Sequence, residues 1–462
     1  MNRTEIPRIM FAAPSSGSGK TTLTCAFLQA LKNRNVNAVS FKCGPDYIDP
    51  MFHQKVLDTP SRNLDLFMLN EDTVIGLFQR NAQSCDIAVT EGVMGFYDGA
   101  GTAGLEASSY ELSRLTQTPA VLIADCRGAA ASSAALIKGF MEFRKDNTIR
   151  GVILNNVSER YYPVLRDFIE TELGIKVYGY MPRLKDCELK SRHLGLITAE
   201  EVEDLRYVLA KLSEQAEKSL DIDGLIRLAE DAPPLPYKES LRTYEKREVT
   251  VGAALDKAFC FYYQDGLDLL EEMGAKIVFF SPLTDARLPE GLDGIILGGG
   301  YPELYAEQLS ENKSFREHLK SLAESGIPCF AECGGFMYLH DSLEDADGDS
   351  YEMCGIVRAH SFRTGSLQRF GYVELTAEQD NILCRSGDKI KAHEFHYWDS
   401  TLEQDVFTAR KSDGRQWGAF YSYKNLLAGY PHIHFCSNPG FAESFIKACG
   451  SYRQDREAER WK

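Results

Sequence analysis

Several absences bound what this chain can be. No apolar run approaches the ~18 residues that a membrane-spanning helix needs. The opening stretch, MNRTEIPRIMFAAPSS, holds too brief an apolar segment for a secretory signal. The twelve cysteines include no C-x-x-C pair. They are expected to be reduced and mostly buried, as in a cytoplasmic protein. Cys329 and Cys333 have no second ligand pair at metal spacing, so a zinc site there is not expected. Basic residues are in the minority: 51 Lys+Arg face 67 Asp+Glu, for a net charge of −16. That balance argues against a nucleic-acid or membrane-surface partner. Internal repeats and low-complexity tracts are also missing.

What is present fits a soluble globular protein. The 462 residues are 44% hydrophobic and 26% charged, enough for two or three domains with full cores. Short apolar runs (RIMFAAP, NAVSFKCG, CDIAVTEG, AVLIADC, GVILNNV, KVYGYMP) alternate with amphipathic stretches. This pattern predicts an α/β fold with a parallel sheet covered on both faces. Residues 198–231 read as helical and charged, and a Pro-rich, charged segment follows. Alternation resumes at Val249 with VTVGAALD, AKIVFFSP, GIILGGG and IPCFAEC, and residues 351–436 carry more strand than helix. Two α/β domains are expected, 1–231 and 248–462, joined by a linker over 232–247.

The run RIMFAAPSSGSGKTTLTCAFLQAL reads as strand, glycine-rich turn and helix, the context of a P-loop. Gly17 and Gly19 let backbone N–H groups turn toward phosphate oxygens, and Thr22 continues the motif. Lys20 is placed to reach the outer phosphates and the Thr21 hydroxyl to bind Mg²⁺. Pro14 stands where the motif's first glycine belongs. Glu91, Asp98 and Asp125 lie at or just beyond strand ends, where ligands collect in such sheets. Asp46 and Asp49 follow the second strand, either as turn formers or as ligands. Asn155 and Asn156 either read an adenine edge or cap a loop.

In GIPCFAECGGFMYL, a buried strand runs directly into two glycines and a helix-like segment. Cys333 then sits on a sharp strand-to-helix turn, as a nucleophile does. Gly334 can donate its N–H to an oxyanion, and Gly299, within GIILGGG, offers a second donor. Cys329 reads as core. A histidine base is expected among nine. His432 and His434 in GYPHIHF are two apart on a predicted strand and so share a face, one to accept the thiol proton and one to orient it. His393, Glu394 and His396 in HEFHYW compete for that role.

The elbow, the GGG turn and the late histidine look like a class I glutamine amidotransferase domain. APSSGSGKTT, KCGPDYIDPMFH, TEGVMGFYDG, SRHLGL, GGGYPE, AECGGFMYL, HEFHY and HIHF, in this order, closely resemble the cobyrinic acid a,c-diamide synthase family nearly end to end. The resemblance implies an N-terminal P-loop domain like dethiobiotin synthetase and a C-terminal class I glutamine amidotransferase domain. It implies that glutamine is hydrolysed at Cys333 with His432 as base. ATP would activate the a and c carboxylates of a corrinoid as acyl phosphates, for attack by the released ammonia. Most class I glutaminases have Glu two residues after the histidine; this chain has His434. The resemblance sets Asp46, Asp49, Glu91 and Asp98 where metal, ATP and the reacting carboxylate meet, with Tyr47 and Ile48 against the macrocycle. Arg183, Lys185, Lys190, Arg192 and His193 form a basic stretch that either receives the polycarboxylate or is a solvated loop. The expected partners are small molecules only, with a homodimer as one option for assembly. Alternatives are the same chemistry on hydrogenobyrinic acid or nickel sirohydrochlorin, a ParA-like P-loop module that positions partners, and a cysteine hydrolase fused to an inert nucleotide domain.

Overall fold

A computed structural model describes residues 5–101, 104–184, 187, 199–236 and 243–460. The chain divides into two units, Met1–Ser240 and Leu241–Lys462. Lys185, Lys190, Arg192 and His193 lie outside the described residues; Arg183 is within them.

In the first unit, β1 (Arg8–Ala12), β2 (Ala38–Cys43), β3 (Ser61–Leu64), β4 (Ile87–Glu91), β5 (Ala120–Asp125), β6 (Ile149–Asn155) and β7 (Val177–Met181) form one sheet. Its order is β3-β2-β4-β1-β5-β6-β7, and every pairing is parallel. β1 and β4 are buried at every position, as expected of strands covered on both faces. The strand order reverses around β1, which opens a crevice at the carboxyl ends of the strands. The chain leaves β1 through the glycine-rich loop into α1 (Lys20–Asn33). Leu23, Ala26, Phe27, Ala30 and Leu31 repeat at three- and four-residue spacing and bury one face of α1. They join Phe11, Val89 and Ile123 in the core. After β2 the chain turns into α2 (Ile48–Lys55).

The second unit contains β8 (Val249–Ala254), β9 (Phe259–Phe261), β10 (Ala275–Phe280), β11 (Gly294–Leu297), β12 (Gly299–Gly300), β13 (Cys329–Glu332), β14 (His340–Glu344) and β15 (Ser350–Glu352). Then follow β16 (Val357–Ala377), β17 (Lys389–Ser400), β18 (Phe407–Arg410), β19 (Gln416–Ala419), β20 (Tyr421–Tyr423), β21 (Leu426–Gly429) and β22 (His432–Ile433). One sheet has the order β10-β8-β11-β13-β21-β20 and is parallel except for its last pair. β9 and β12 form a small antiparallel ribbon. The other sheet has the order β15-β14-β16-β17-β22, with β18 and β19 continuing from β16. The α/β class expected from the alternating apolar runs holds in both units. The 21-residue β16 is longer than the sequence pattern suggests, because its middle is largely exposed and carries no apolar run.

Candidate active sites

In the first unit the glycine-rich loop, the end of β4 and the start of α2 converge. Gly19 caps α1 with φ 96, and a Cβ there would lie 2.3 Å from Asn155 Nδ2, so only glycine fits. Gly17 also has positive φ, at 76. Lys20, Thr21 and Thr22 are the first three residues of α1. Lys20 Nζ is folded over the loop and donates to the carbonyls of Ser15 and Met94. Burial, and then Lys42, pull its ammonium down to about 8. Thr21 Oγ1 donates to Glu91 Oε1 at 2.6 Å.

The centre of this site is Lys42, which pattern reading passed over. It is buried on β2 and donates to Asp49 and, at 2.9 Å, to Glu91 Oε1, with Asp46 Oδ2 at 3.8 Å. Burial opposes its charge, but Asp49, Glu91 and Asp46 outweigh that and hold it well above the usual lysine range. One ammonium cannot satisfy three carboxylates. Asp49 stays ionised against Lys42, whereas desolvation and Asp49 push Glu91 up to about 7 and Asp46 to about 6. Glu91 Oε2 is buried without a hydrogen-bond partner, and His53 Nε2 lies 3.9 Å away.

Other expected ligands take other positions. Asn155 donates its amide to the Ser18 carbonyl at 2.8 Å and so braces the phosphate loop. Asn156 donates to Asp125. Asp46 Oδ1 accepts from the Ile48 and Asp49 N–H groups and so starts α2. Tyr47 is largely buried, and Ile48 is partly buried against the core. Asp98 is exposed and accepts from the Gly95 N–H at 2.8 Å. Among the described residues, no three His, Cys, Asp or Glu side chains gather as metal ligands. Thr21 and the orphaned oxygen of Glu91 nevertheless fit a Mg²⁺ ion. Asp49 fits less well, because Lys42 already holds it.

In the second unit Cys333 sits between β13 and the short helix Gly334–Tyr338, at φ 46 and ψ −104. This is strained backbone for a non-glycine residue, as at a nucleophile elbow. The Cys333 N–H is anchored on the Gly429 carbonyl at 2.7 Å. The Gly335 N–H donates to the Gly298 carbonyl at 3.1 Å, which ties the elbow to the glycine turn. Tyr262 holds that turn from below: its hydroxyl accepts from the Gly298 N–H and donates to the Ala254 carbonyl. A Cβ on Gly334 would lie 3.0 Å from the Gly300 nitrogen, so these two backbones nearly touch. The Gly300 backbone thus lies beside the expected donor Gly334.

His432 is buried on β22. Burial disfavours its charge, but Cys333, by charge and hydrogen bond, and then Glu332, push it up to about 10. Its Nδ1 lies 3.8 Å from Glu332 Oε2. His434 follows the end of β22 with its backbone still extended; its Nδ1 accepts from the Cys436 N–H and its ring stacks on Tyr263. Of the competing histidines, one lies away from His432 and one beside it. His396 pairs with Glu394 at 2.8 Å and stacks on Tyr430, and His393 is the cross-strand register partner of His432. Cys329 is core, as expected. Glu332 and Lys42 share one sequence signal: each is a lone charge in an otherwise apolar strand.

Residues 9–197 match the CobQ/CobB/MinD/ParA nucleotide binding domain, and residues 250–440 match the CobB/CobQ-like glutamine amidotransferase domain. The P-loop is accordingly an ATP site. The cobyrinate a,c-diamide synthase of Listeria innocua is 40% identical, covering 94% of this chain and 97% of its own. That of Thermoplasma volcanium is 38% identical over 98% of this chain and 99% of its own. The enzyme of the same name from Caldanaerobacter subterraneus subsp. tengcongensis is 42% identical over 96% of this chain and 98% of its own. Similarity of this depth along both units shows that the chain belongs to the cobyrinate a,c-diamide synthase family, a carbon–nitrogen ligase with glutamine as its amido-nitrogen donor.

Proposed function

We propose that this chain amidates the a and c carboxylates of cobyrinic acid, using ammonia released from glutamine at Cys333 and ATP bound at the phosphate loop. The observation that carries this reading is Cys333 on its strained turn, with its charge and that of Glu332 holding the buried His432 well above the usual histidine range. The near-full-length similarity to proteins named for this reaction supports the choice of substrate.

At the glutaminase site the Cys333 sulfur bonds to the amide carbon of glutamine while His432 holds the proton that the thiol gives up. The Gly334 N–H, with Gly299 or Gly300, donates to the oxyanion. The C–N bond then breaks and ammonia leaves with the proton from His432. Water cleaves the thioester to glutamate and free thiol. At the synthetase site the terminal phosphoryl group of ATP passes to a substrate carboxylate, giving an acyl phosphate and ADP. Ammonia displaces phosphate and leaves the amide. Lys20 and Lys42 supply positive charge there. Thr21 and Glu91 would hold Mg²⁺, which neutralises phosphate charge when bound. Asp46, 3.8 Å from Lys42, and Asp98 would meet the substrate carboxylate. Twelve free cysteines fit a cytoplasmic enzyme.

Cys333→Ser tests the two-site reading. It should abolish amidation with glutamine and leave amidation with an added ammonium salt. Loss of both in a folded protein contradicts the reading.

A further inference from the structure

The acid that most class I glutaminases carry two residues after the base histidine is missing here, yet His432 has a buried carboxylate beside it. We propose that Glu332, the residue before the nucleophile, is the positioning residue that orients His432. This rests on the reading of Cys333 and His432 given above. The acid then comes from the strand that enters the elbow and not from the segment that follows the base.

Glu332 is 7% exposed, at the end of β13. Burying a carboxylate is unfavourable unless it is hydrogen-bonded and paired. Glu332 has both kinds of partner. Its Oε1 accepts the Ile433 N–H at 2.7 Å. Ile433 follows His432, so this bond fastens β22 to the elbow across 101 residues of sequence. Oε2 is thereby left 3.8 Å from His432 Nδ1. This is an ion-pair distance that a small ring movement turns into a hydrogen bond. The ring has little freedom on its other side, where a Cβ on Gly299 would lie 2.4 Å from Cε1.

Other acids near the site are engaged. Glu394 accepts from Trp417 Nε1 and pairs with His396. The titratable groups facing His432 are Cys333 from the elbow, Glu332 from β13 and His393 from β17. Burial, and then His432, hold His393 down to about 3, so it is neutral at working pH. A carboxylate on Nδ1 fixes the tautomer, points Nε2 at the sulfur and stabilises the imidazolium formed when the thiol gives up its proton.

The test compares Glu332→Gln and Glu332→Asp with wild type in the full-length protein. The Glu332→Gln side chain can still accept from Ile433 through its amide oxygen but carries no charge. For Glu332→Gln, kcat for glutamine hydrolysis should fall about 10²–10⁴-fold, with KM little changed. The basic limb of its pH profile should move down by about one unit, and ammonium-driven amidation should persist. Glu332→Asp should recover part of the rate and keep the limb near its wild-type position. A wild-type rate, an unmoved limb, or loss of the ammonium-driven reaction in folded Glu332→Gln overturns the proposal. Should Glu332→Gln fail to fold, Glu332→Asp decides: its shorter carboxylate must lower kcat with KM held, and a wild-type kcat overturns the proposal. If wild type itself fails to hydrolyse glutamine, the reading of Cys333 falls. If the rate merely survives Glu332→Gln, only the role of Glu332 falls.

Discussion

Lys42 donates to Glu91 at 2.9 Å, and the two are direct cross-strand partners on β2 and β4. The pair closes a cluster in which Asp49 shares the same ammonium. Lys42→Met leaves two buried carboxylates without their cation. It should cost about 3–5 kcal/mol of stability at neutral pH, measured by chemical denaturation. The deficit should shrink below pH 7, where Glu91, pushed up to about 7, takes a proton. A deficit unchanged with pH would argue against this charge balance.

Lys20 is poised over the phosphate loop, with Ser15 and Met94 carbonyls as its partners. Lys20→Ala should lower amidation by about 10²-fold or more with either nitrogen source. Product formation should be followed with glutamine and with ammonium salt in parallel. Rescue by ammonium would remove Lys20 from the synthetase step.

Gly299 faces His432 at a distance that admits no side chain. Gly299→Ala should displace the base and cut glutamine hydrolysis about 10²-fold. Ammonium-dependent amidation should be retained. Steady-state assays of both reactions on one preparation decide the point.

His432 is raised from 6.5 to about 10, so its imidazolium is the favoured state in the folded protein. Stabilisation from its partners is complete below pH 6.5 and is lost as pH rises through about 10. Glutamine hydrolysis should decline over the same upper range, because the proton for departing ammonia is gone. A basic limb near pH 7 would contradict the ion-pair geometry.

Both glycine-rich turns were legible in the sequence, because a strand, its small residues and the following helix are contiguous. The parallel strands were legible too, since burial on both faces leaves unbroken apolar runs. Lys42 and Glu332 were not, because their partners come from distant strands: Glu91 is 49 residues away and Ile433 is 101. The contact of Asn155 with Ser18, 137 residues back, was hidden for the same reason. The contacts of His434 with Tyr263 and the Cys436 N–H were not legible from its spacing to His432.

The central claim is the amidation of cobyrinic acid, and mass spectrometry tests it most directly. The purified protein would be incubated with Mg-ATP, glutamine and cobyrinic acid, with hydrogenobyrinic acid and nickel sirohydrochlorin in parallel. Two successive acid-to-amide conversions on cobyrinic acid are the predicted result. Consumption of glutamine and ATP with no conversion of cobyrinic acid would contradict it.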